Sequence, residues 1–336
     1  MTPTDPPAPG ARGRHVVAWA ALIGLLALVT GGLLAVSLAN SPAQRVVTIA
    51  VIPHPDDEFQ LWSLVEGTPD EYKIFVSMTN GEETGFCEPD VLDASLQTEL
   101  GELPPLPTPT GRWGIECEQA RSASLLGYLE QMSETDPSIP GDFGPRQEFA
   151  PLPGDGTSIC RVDDGAESCN DANREVSVWT DRHDRGAVVF FDLGDGDVTS
   201  DEVTWALRSL IERRAELGLE GDERIASLIG AFANDSQPCF SYPHPDHVAV
   251  HEALWSTDFG VGPQLGATCF LDGRQRLTTF VDRSSVDAAF EQAVDGTRIG
   301  AHGRHYGWLH ATAYPIANTM QSALFMRVQS FWVRFN

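Results

Sequence analysis

Val46-Val47-Thr48-Ile49-Ala50-Val51-Ile52-Pro53-His54-Pro55-Asp56-Asp57-Glu58 runs from a β-branched segment straight into a histidine and paired aspartates. An apolar run without alternation reads as a strand buried on both faces, as in a parallel sheet covered by helices. The histidine and aspartates then fall in the loop leaving that strand's carboxyl end, where open α/β sheets bind ligands. A second cluster, Tyr242-Pro243-His244-Pro245-Asp246-His247, again mixes imidazole and carboxylate with proline-stiffened spacing.

Outward from the first motif, Phe59 to Gly67 carries apolar residues at helical spacing, and Lys73 to Met78 reads as the next strand, ending in Thr79-Asn80-Gly81-Glu82. Strand, helix, strand is the unit that builds parallel sheets. A helix is expected from about Glu116 to Met132, a strand over Ala187 to Phe191, and another over Ile225 to Ile229. Thr199 with Glu202 three positions on forms a capping box ahead of a helix over Val203 to Leu217. His247 to Trp255 is expected to be helical, started by Asp246. Segments at about 85–114 and 134–186, rich in proline, glycine and aspartate, read as irregular inserts, the second with one strand-like piece, Val176 to Trp179. The fold class is therefore α/β, a Rossmann-like three-layer arrangement with a mostly parallel sheet and long loop insertions.

Metal-assisted hydrolysis needs three protein ligands, an open position for water, and a carboxylate left off the metal as base. His54 and Asp57 sit three apart on the turn after the strand, and His247 at the helix start completes a triad. Asp56 is then the general base, because adjacent side chains point in different directions. His244 is the candidate proton donor to a leaving amine, held in one tautomer by Asp246, and Tyr242 can donate its hydroxyl to an oxyanion. Zn2+ is the expected ion, although a two-histidine, one-carboxylate set also suits Fe2+.

His54-Pro55-Asp56-Asp57-Glu58 followed by His244-Pro245-Asp246-His247 resembles the LmbE-like, PIG-L-like family of zinc-dependent N-deacetylases. Thr79-Asn80-Gly81-Glu82 and the Glu118 to Gly127 helix are also similar to it, and the resemblance covers roughly Val46 to Trp255. It implies a Rossmann-like fold, removal of acetyl groups from N-acetylglucosamine-type sugars, and metal ligation by His54, Asp57 and His247. It also implies Asp56 as base and His244 with Asp246 on the leaving-group side, and Tyr242 matches a tyrosine that some members use on the oxyanion. One departure stands out. Members often carry an arginine just before the glutamate of the helix after the second strand, whereas Ile115-Glu116-Cys117-Glu118 has none, leaving Arg112 or Arg121 as substitutes.

The rest of the chain bounds where such chemistry takes place. Val16 to Ala39 is uncharged, follows Arg12 and Arg14, and exceeds the ~20 apolar residues that span a bilayer. Residues 1–15 are then a cytoplasmic tail, 16–39 a transmembrane helix, and 45–336 an extracytoplasmic domain. Cleavage near Ser41 and Ala43 is the alternative, giving a secreted protein. Six cysteines suit an oxidising compartment, and Cys87 with Cys117, Cys160 with Cys169, and Cys239 with Cys269 form the nearest-neighbour pairing. A net charge of −26 repels phosphate backbones and excludes nucleic acid as a natural partner. No obligate protein partner is evident.

His251, His302, His305 and His310 are read as packing, solvated or rim residues rather than ligands, and Asp192 and Asp195 as turn formers or cleft residues. Trp62, Trp113, Trp179 and Trp308 could stack on sugar faces but equally pack in the core or inserts. The expected activity is removal of an N-acetyl group from an amino sugar in an envelope glycan, glycolipid or secreted glycoconjugate. The rivals are a non-catalytic glycan-binding protein on the same fold and an amidase of another N-acyl substrate.

Overall fold

The computed structural model describes residues 45–93, 108–152, 159–163, 166–170, 174–219, 223–234, 242–268, 276–292, 298–300 and 327–335. The chain divides into two units, Met1–Gln44 and Arg45–Asn336. The apolar segment Val16 to Ala39 lies outside the described residues. Among those described, no helix is long and apolar enough to cross a membrane.

The strands are β1 (Val46–Ile52), β2 (Glu71–Ser77), β3 (Gln147–Leu152), β4 (Ile159–Asp163), β5 (Ala166–Asn170), β6 (Arg174–Thr180) and β7 (Gly186–Phe190). They continue with β8 (Arg224–Gly230), β9 (Gln264–Ala267), β10 (Arg276–Phe280), β11 (Phe290–Gln292), β12 (Arg298–Gly300) and β13 (Val328–Arg334). The helices are α1 (Pro89–Asp93), α2 (Ile115–Thr135), α3 (Ser200–Arg213), α4 (Pro245–Ser256) and α5 (Arg283–Ala289). A nine-stranded sheet runs in the order β10-β13-β9-β8-β1-β2-β7-β6-β3. Its centre, β9-β8-β1-β2-β7, is parallel, and the strands added at either side pair antiparallel.

β1 sits in the middle of this sheet and is buried along nearly its whole length, which is why it is apolar without alternation. Its side chains still divide by the strand period of two. Val47, Ile49 and Val51 join the core under α3 and α4, with Val203, Leu207, Leu210, Val250 and Leu254. Ala50 and Ile52 face the opposite core, with Phe59 and Trp62, Leu125, Tyr128 and Leu129 of α2, and Ala289 of α5. Helices on both faces make the three layers.

Local signals explain the ends of several elements. Thr199 and Glu202 form the expected capping box at α3, the Thr199 side chain accepting from the Glu202 amide and the Glu202 carboxylate accepting from the Thr199 amide. The segment after the first motif is a 3-10 helix, Glu58–Leu64, tighter and shorter than the helix expected over Phe59 to Gly67. The start of α4 also differs from expectation: His244 holds the cap position, Pro245 opens the first turn, and Asp246 lies inside it.

The 134–186 insert is not irregular throughout. β6 pairs antiparallel with β7, and β3 pairs with β6, so the insert extends the main sheet. Val176 and Val178 bury into one face and Trp179 into the other, the alternation that keeps β6 in place. β3 contains Pro151 and forms the sheet edge, where a missing amide costs no ladder bond. β4 and β5 form a hairpin whose register sets Cys160 opposite Cys169.

Candidate metal and catalytic site

The strand ends converge on one point. Beyond β1 and β2, Met78 N donates to Ile52 O at 2.9 Å and Thr79 N to Pro53 O at 3.1 Å, carrying the ladder up to His54. There the chain turns sharply, Asp56 N and Asp57 N both donating to His54 O, at 2.9 and 3.3 Å. The turn swings the Asp57 carboxylate back over His54, where Oδ2 accepts from the His54 amide at 3.0 Å. On the other side, β8 ends beside β1, with Ala231 N on Val51 O at 3.0 Å, and α4 brings in His247.

Asp57 Oδ2 lies 3.2 Å from His54 Nδ1 and 3.3 Å from His247 Nε2, and the two imidazole centroids are 5.2 Å apart. His54, Asp57 and His247 are 8%, 4% and 0% exposed. Tetrahedral coordination with bonds of about 2.0–2.1 Å requires ligand atoms about 3.3–3.4 Å apart. The two separations from Asp57 Oδ2 match that edge length, and the three ligand atoms, all within 4.8 Å of one another, form one of two candidate ion-holding groups among the described residues.

The far sides of both rings agree with this orientation. His247 Nδ1 meets Phe232 O at 2.6 Å, fixing the proton there and leaving Nε2 as the lone-pair side. Among the described residues no donor reaches that buried Nε2, and its one close polar neighbour is the Asp57 carboxylate, so a cation shared with Asp57 would take the lone pair. His54 Nε2 lies 3.0 Å from Asp246 Oδ2 and 3.1 Å from Asp195 Oδ1, so its proton sits among carboxylates while Nδ1 faces Asp57. The second candidate group, His54, His244 and Asp246, is the poorer holder. Both Asp246 oxygens already accept backbone amides, from Gly196 at 2.9 Å and Val198 at 3.1 Å.

The charges are strongly coupled. Burial opposes the charged ring of His54, but Asp195, Asp246 and Asp57 together push its pKa well above the usual histidine value. Burial likewise opposes the Asp57 carboxylate, yet His247 and His54 hold its pKa far below the ordinary range. His244 is pushed down to about 4, by burial and then by His54 and His247. Burial raises the Glu58 carboxyl well above its usual value, with Asp56 and Asp57 adding to the effect.

Asp56 is not one of the grouped ligand residues. Its Oδ1 lies 3.1 Å from Arg121 Nη2, and the Arg121 side chain is almost wholly buried. Arg121 stands one turn into α2, so it, rather than the exposed Arg112, reaches the motif. The close approach leaves no space for a side chain at residue 81: a Cβ on Gly81, whose φ is +69°, would lie 2.8 Å from Arg121 Nη2. The Cys87–Cys117 disulfide joins the loop after β2 to the first turn of α2.

His244 and Tyr242 stand against the imidazoles of the triad. The His244 ring stands edge-on to His54 with centroids 4.7 Å apart, and the Tyr242 ring packs edge-on to His247 at 4.7 Å. The expected support of His244 by Asp246 is not what the structure contains. Asp246 is turned toward His54 and the 196–198 backbone, and His244 Nδ1 has no hydrogen-bond partner among the described residues. A first-turn carboxylate accepts the nearest free amides, and here those belong to the loop after β7.

His251 is structural: Nε2 meets Ala231 O at 2.6 Å and Nδ1 accepts from Trp332 Nε1 at 3.0 Å. Asp192 accepts from Asn80 Nδ2 at 3.1 Å. Trp62 is a fully buried core residue, and the Trp179 ring carries the Arg146 guanidinium at 5.7 Å. Trp308, His302, His305, His310, Cys239 and Cys269 lie outside the described residues. Sequence reasoning missed Gln60, whose amide reaches Asp57, and left Asp195 and Arg121 undecided. Only the position of each beyond a strand end or on a helix turn hinted at a role.

No family model matches the chain, and no curated protein matches it. Among solved structures, the chain is similar to a crystal structure of a triple mutant of a deacetylase involved in the teicoplanin biosynthetic pathway. That likeness has 10% sequence identity and a TM-score of 0.43, and covers 87% of this chain and 99% of the other.

Proposed function

We propose that the chain is a metal-dependent amide hydrolase that removes the acetyl group from an N-acetylated amino sugar. One observation carries the reading: a buried His54–Asp57–His247 group at ligand spacing, with the neighbouring Asp56 outside it and paired to Arg121. The chemistry a divalent cation, Zn2+ or Fe2+, supplies in that triangle is acidification of water and polarisation of the scissile carbonyl.

The remaining work falls to the chain's own residues. Asp56, oriented by Arg121, takes a proton from the attacking water, whose oxygen forms the new bond to the acyl carbon. Tyr242 donates its hydroxyl to the oxygen on which negative charge develops. The proton taken up by Asp56 passes to the nitrogen, relayed by the uncharged His244 ring, as the carbon–nitrogen bond breaks, giving acetate and a free amine. Asp195 and Asp246 hold the His54 ring by its far nitrogen, so that Nδ1 keeps its aim. A protein that only bound glycans would need no carboxylate held by a buried arginine at this position.

The Val16 to Ala39 segment supports a location at the cell membrane with the domain outside the cytoplasm, or secretion if that segment is cleaved. The Cys87–Cys117 disulfide is in keeping with an oxidising compartment. Envelope glycans, glycolipids and secreted glycoconjugates are the substrates within reach there. Acetate release from a panel of N-acetylated glycans and other N-acyl compounds tests the proposal, with chelated protein and an Asp56→Asn variant as controls. Chelator-sensitive release from amino sugars is the expected result. Binding without release favours the glycan-binding reading, and release from other N-acyl compounds alone favours a different amidase.

A further inference from the structure

Gln60 lies within the 3-10 helix after the first motif and is buried, 4% exposed. Its Nε2 donates to Asp57 Oδ1 at 2.7 Å, and its Oε1 accepts from the Phe232 amide at 2.7 Å. The Phe232 carbonyl is the group that takes the His247 Nδ1 proton at 2.6 Å. One side chain therefore joins the two motifs through an unbroken run of hydrogen bonds, Asp57 to Gln60 to Phe232 to His247.

We infer that Gln60 is a positioning residue that sets the coordination geometry of the triad. Two consequences follow from which atoms it engages. With Oδ1 occupied by the Gln60 amide, Asp57 presents Oδ2 alone toward His54 Nδ1 and His247 Nε2, so the carboxylate binds through one oxygen and leaves room for water. By anchoring Phe232, Gln60 also fixes the carbonyl that selects the His247 tautomer. A leucine or methionine would fill the same buried space, so packing alone does not call for an amide here. An amide can donate to the carboxylate through Nε2 and accept from the backbone amide through Oε1 at the same time, which an apolar side chain of that length cannot.

The inference rests on the metal reading above, and the test separates the two. The full chain is titrated with Co2+ against a chelator of known affinity, and the visible absorption of the Co2+ form is recorded. Gln60→Met removes both hydrogen bonds, and Gln60→Glu keeps the acceptor for Phe232 but loses the donor to Asp57. Both variants are expected to bind Co2+ about 10–100-fold more weakly than wild type, the usual loss when a ligand's outer partner is removed. Their absorption bands are expected to shift, reporting changed coordination. Gln60→Glu guards against a methionine variant that does not fold, since it preserves shape and the Phe232 contact. Wild-type affinity and an unshifted spectrum in a folded variant overturn the role of Gln60 while leaving the triad intact. A wild-type chain that binds no Co2+ overturns the triad and this inference with it.

Discussion

Asp56 and Arg121 form an ion pair of 3.1 Å across the junction between β1 and α2, and the guanidinium that holds Asp56 is itself 2% exposed. The pair explains how neighbouring aspartates take different tasks: Asp57 is drawn into the triad by two histidines, and Asp56 is held outside it by a cation. Burial works against the Arg121 charge, but Asp56 above all, then Asp195 and Asp57, raise its pKa, so it stays a cation throughout the working pH range.

Asp56→Asn removes the proton acceptor but keeps the shape. It is expected to lower kcat by about 10²–10⁴-fold, the usual contribution of a general base, while cation affinity stays near wild type. Steady-state kinetics with parallel metal titration distinguishes this from a lost ligand.

Arg121→Met leaves Asp56 without its anchor. Turnover is expected to fall by about 10²-fold through misorientation, with a smaller change in KM. Arg121→Lys restores charge without the planar fork and is expected to recover only part of the loss. Unchanged kcat in Arg121→Met would remove Arg121 from the account.

Reduction of Cys87–Cys117 opens a loop of 30 residues in sequence separation and is expected to cost about 3–4 kcal/mol of stability. Because Cys117 lies one turn before Arg121 on α2, activity is expected to fall at temperatures where the fold persists. Thermal melts with and without reductant, alongside activity, check both parts.

Asp181 accepts from the Gly141 and Asp142 amides and from Arg185, which together outweigh burial and hold its pKa down to about 2. A carboxylate depressed in the folded state adds stability above its unfolded pKa, and that stability is lost as pH falls from about 4 to about 2. Asp181→Asn is expected to cost about 1–2 kcal/mol at neutral pH and progressively less as pH falls through about 2. Denaturant unfolding across that range measures the difference.

Four of the central parallel strands, β1, β2, β7 and β8, were legible because burial on both faces forces an apolar composition, and the capping box at Thr199 because its chemistry is local, whereas the short β9 was not foreseen. The His54, Asp57 and His247 grouping was legible because both motifs follow strand ends. What the sequence hid was non-local. β3 lies in a stretch with the composition of a loop and holds because β6, foreseen only as the strand-like piece Val176 to Trp179, pairs with β7 and offers its other edge. The C-terminal β13 gave no sign that it inserts between β9 and β10. Asp246 was expected to hold His244 in one tautomer, as carboxylates commonly do for imidazoles, but the amides of Gly196 and Val198 and the His54 ring take its carboxylate. Gln60 escaped notice because an amide in an apolar run says nothing of its partners until Phe232 is brought beside it.

Anomalous diffraction at the metal edge, from crystals of the metal-loaded chain, tests the central claim most directly. One peak is expected, within about 2.0–2.2 Å of His54 Nδ1, Asp57 Oδ2 and His247 Nε2, with Asp56 off the ion and on Arg121. A peak bound by His244 and Asp246, a peak with Asp56 as a ligand, or no peak in that triangle would contradict it.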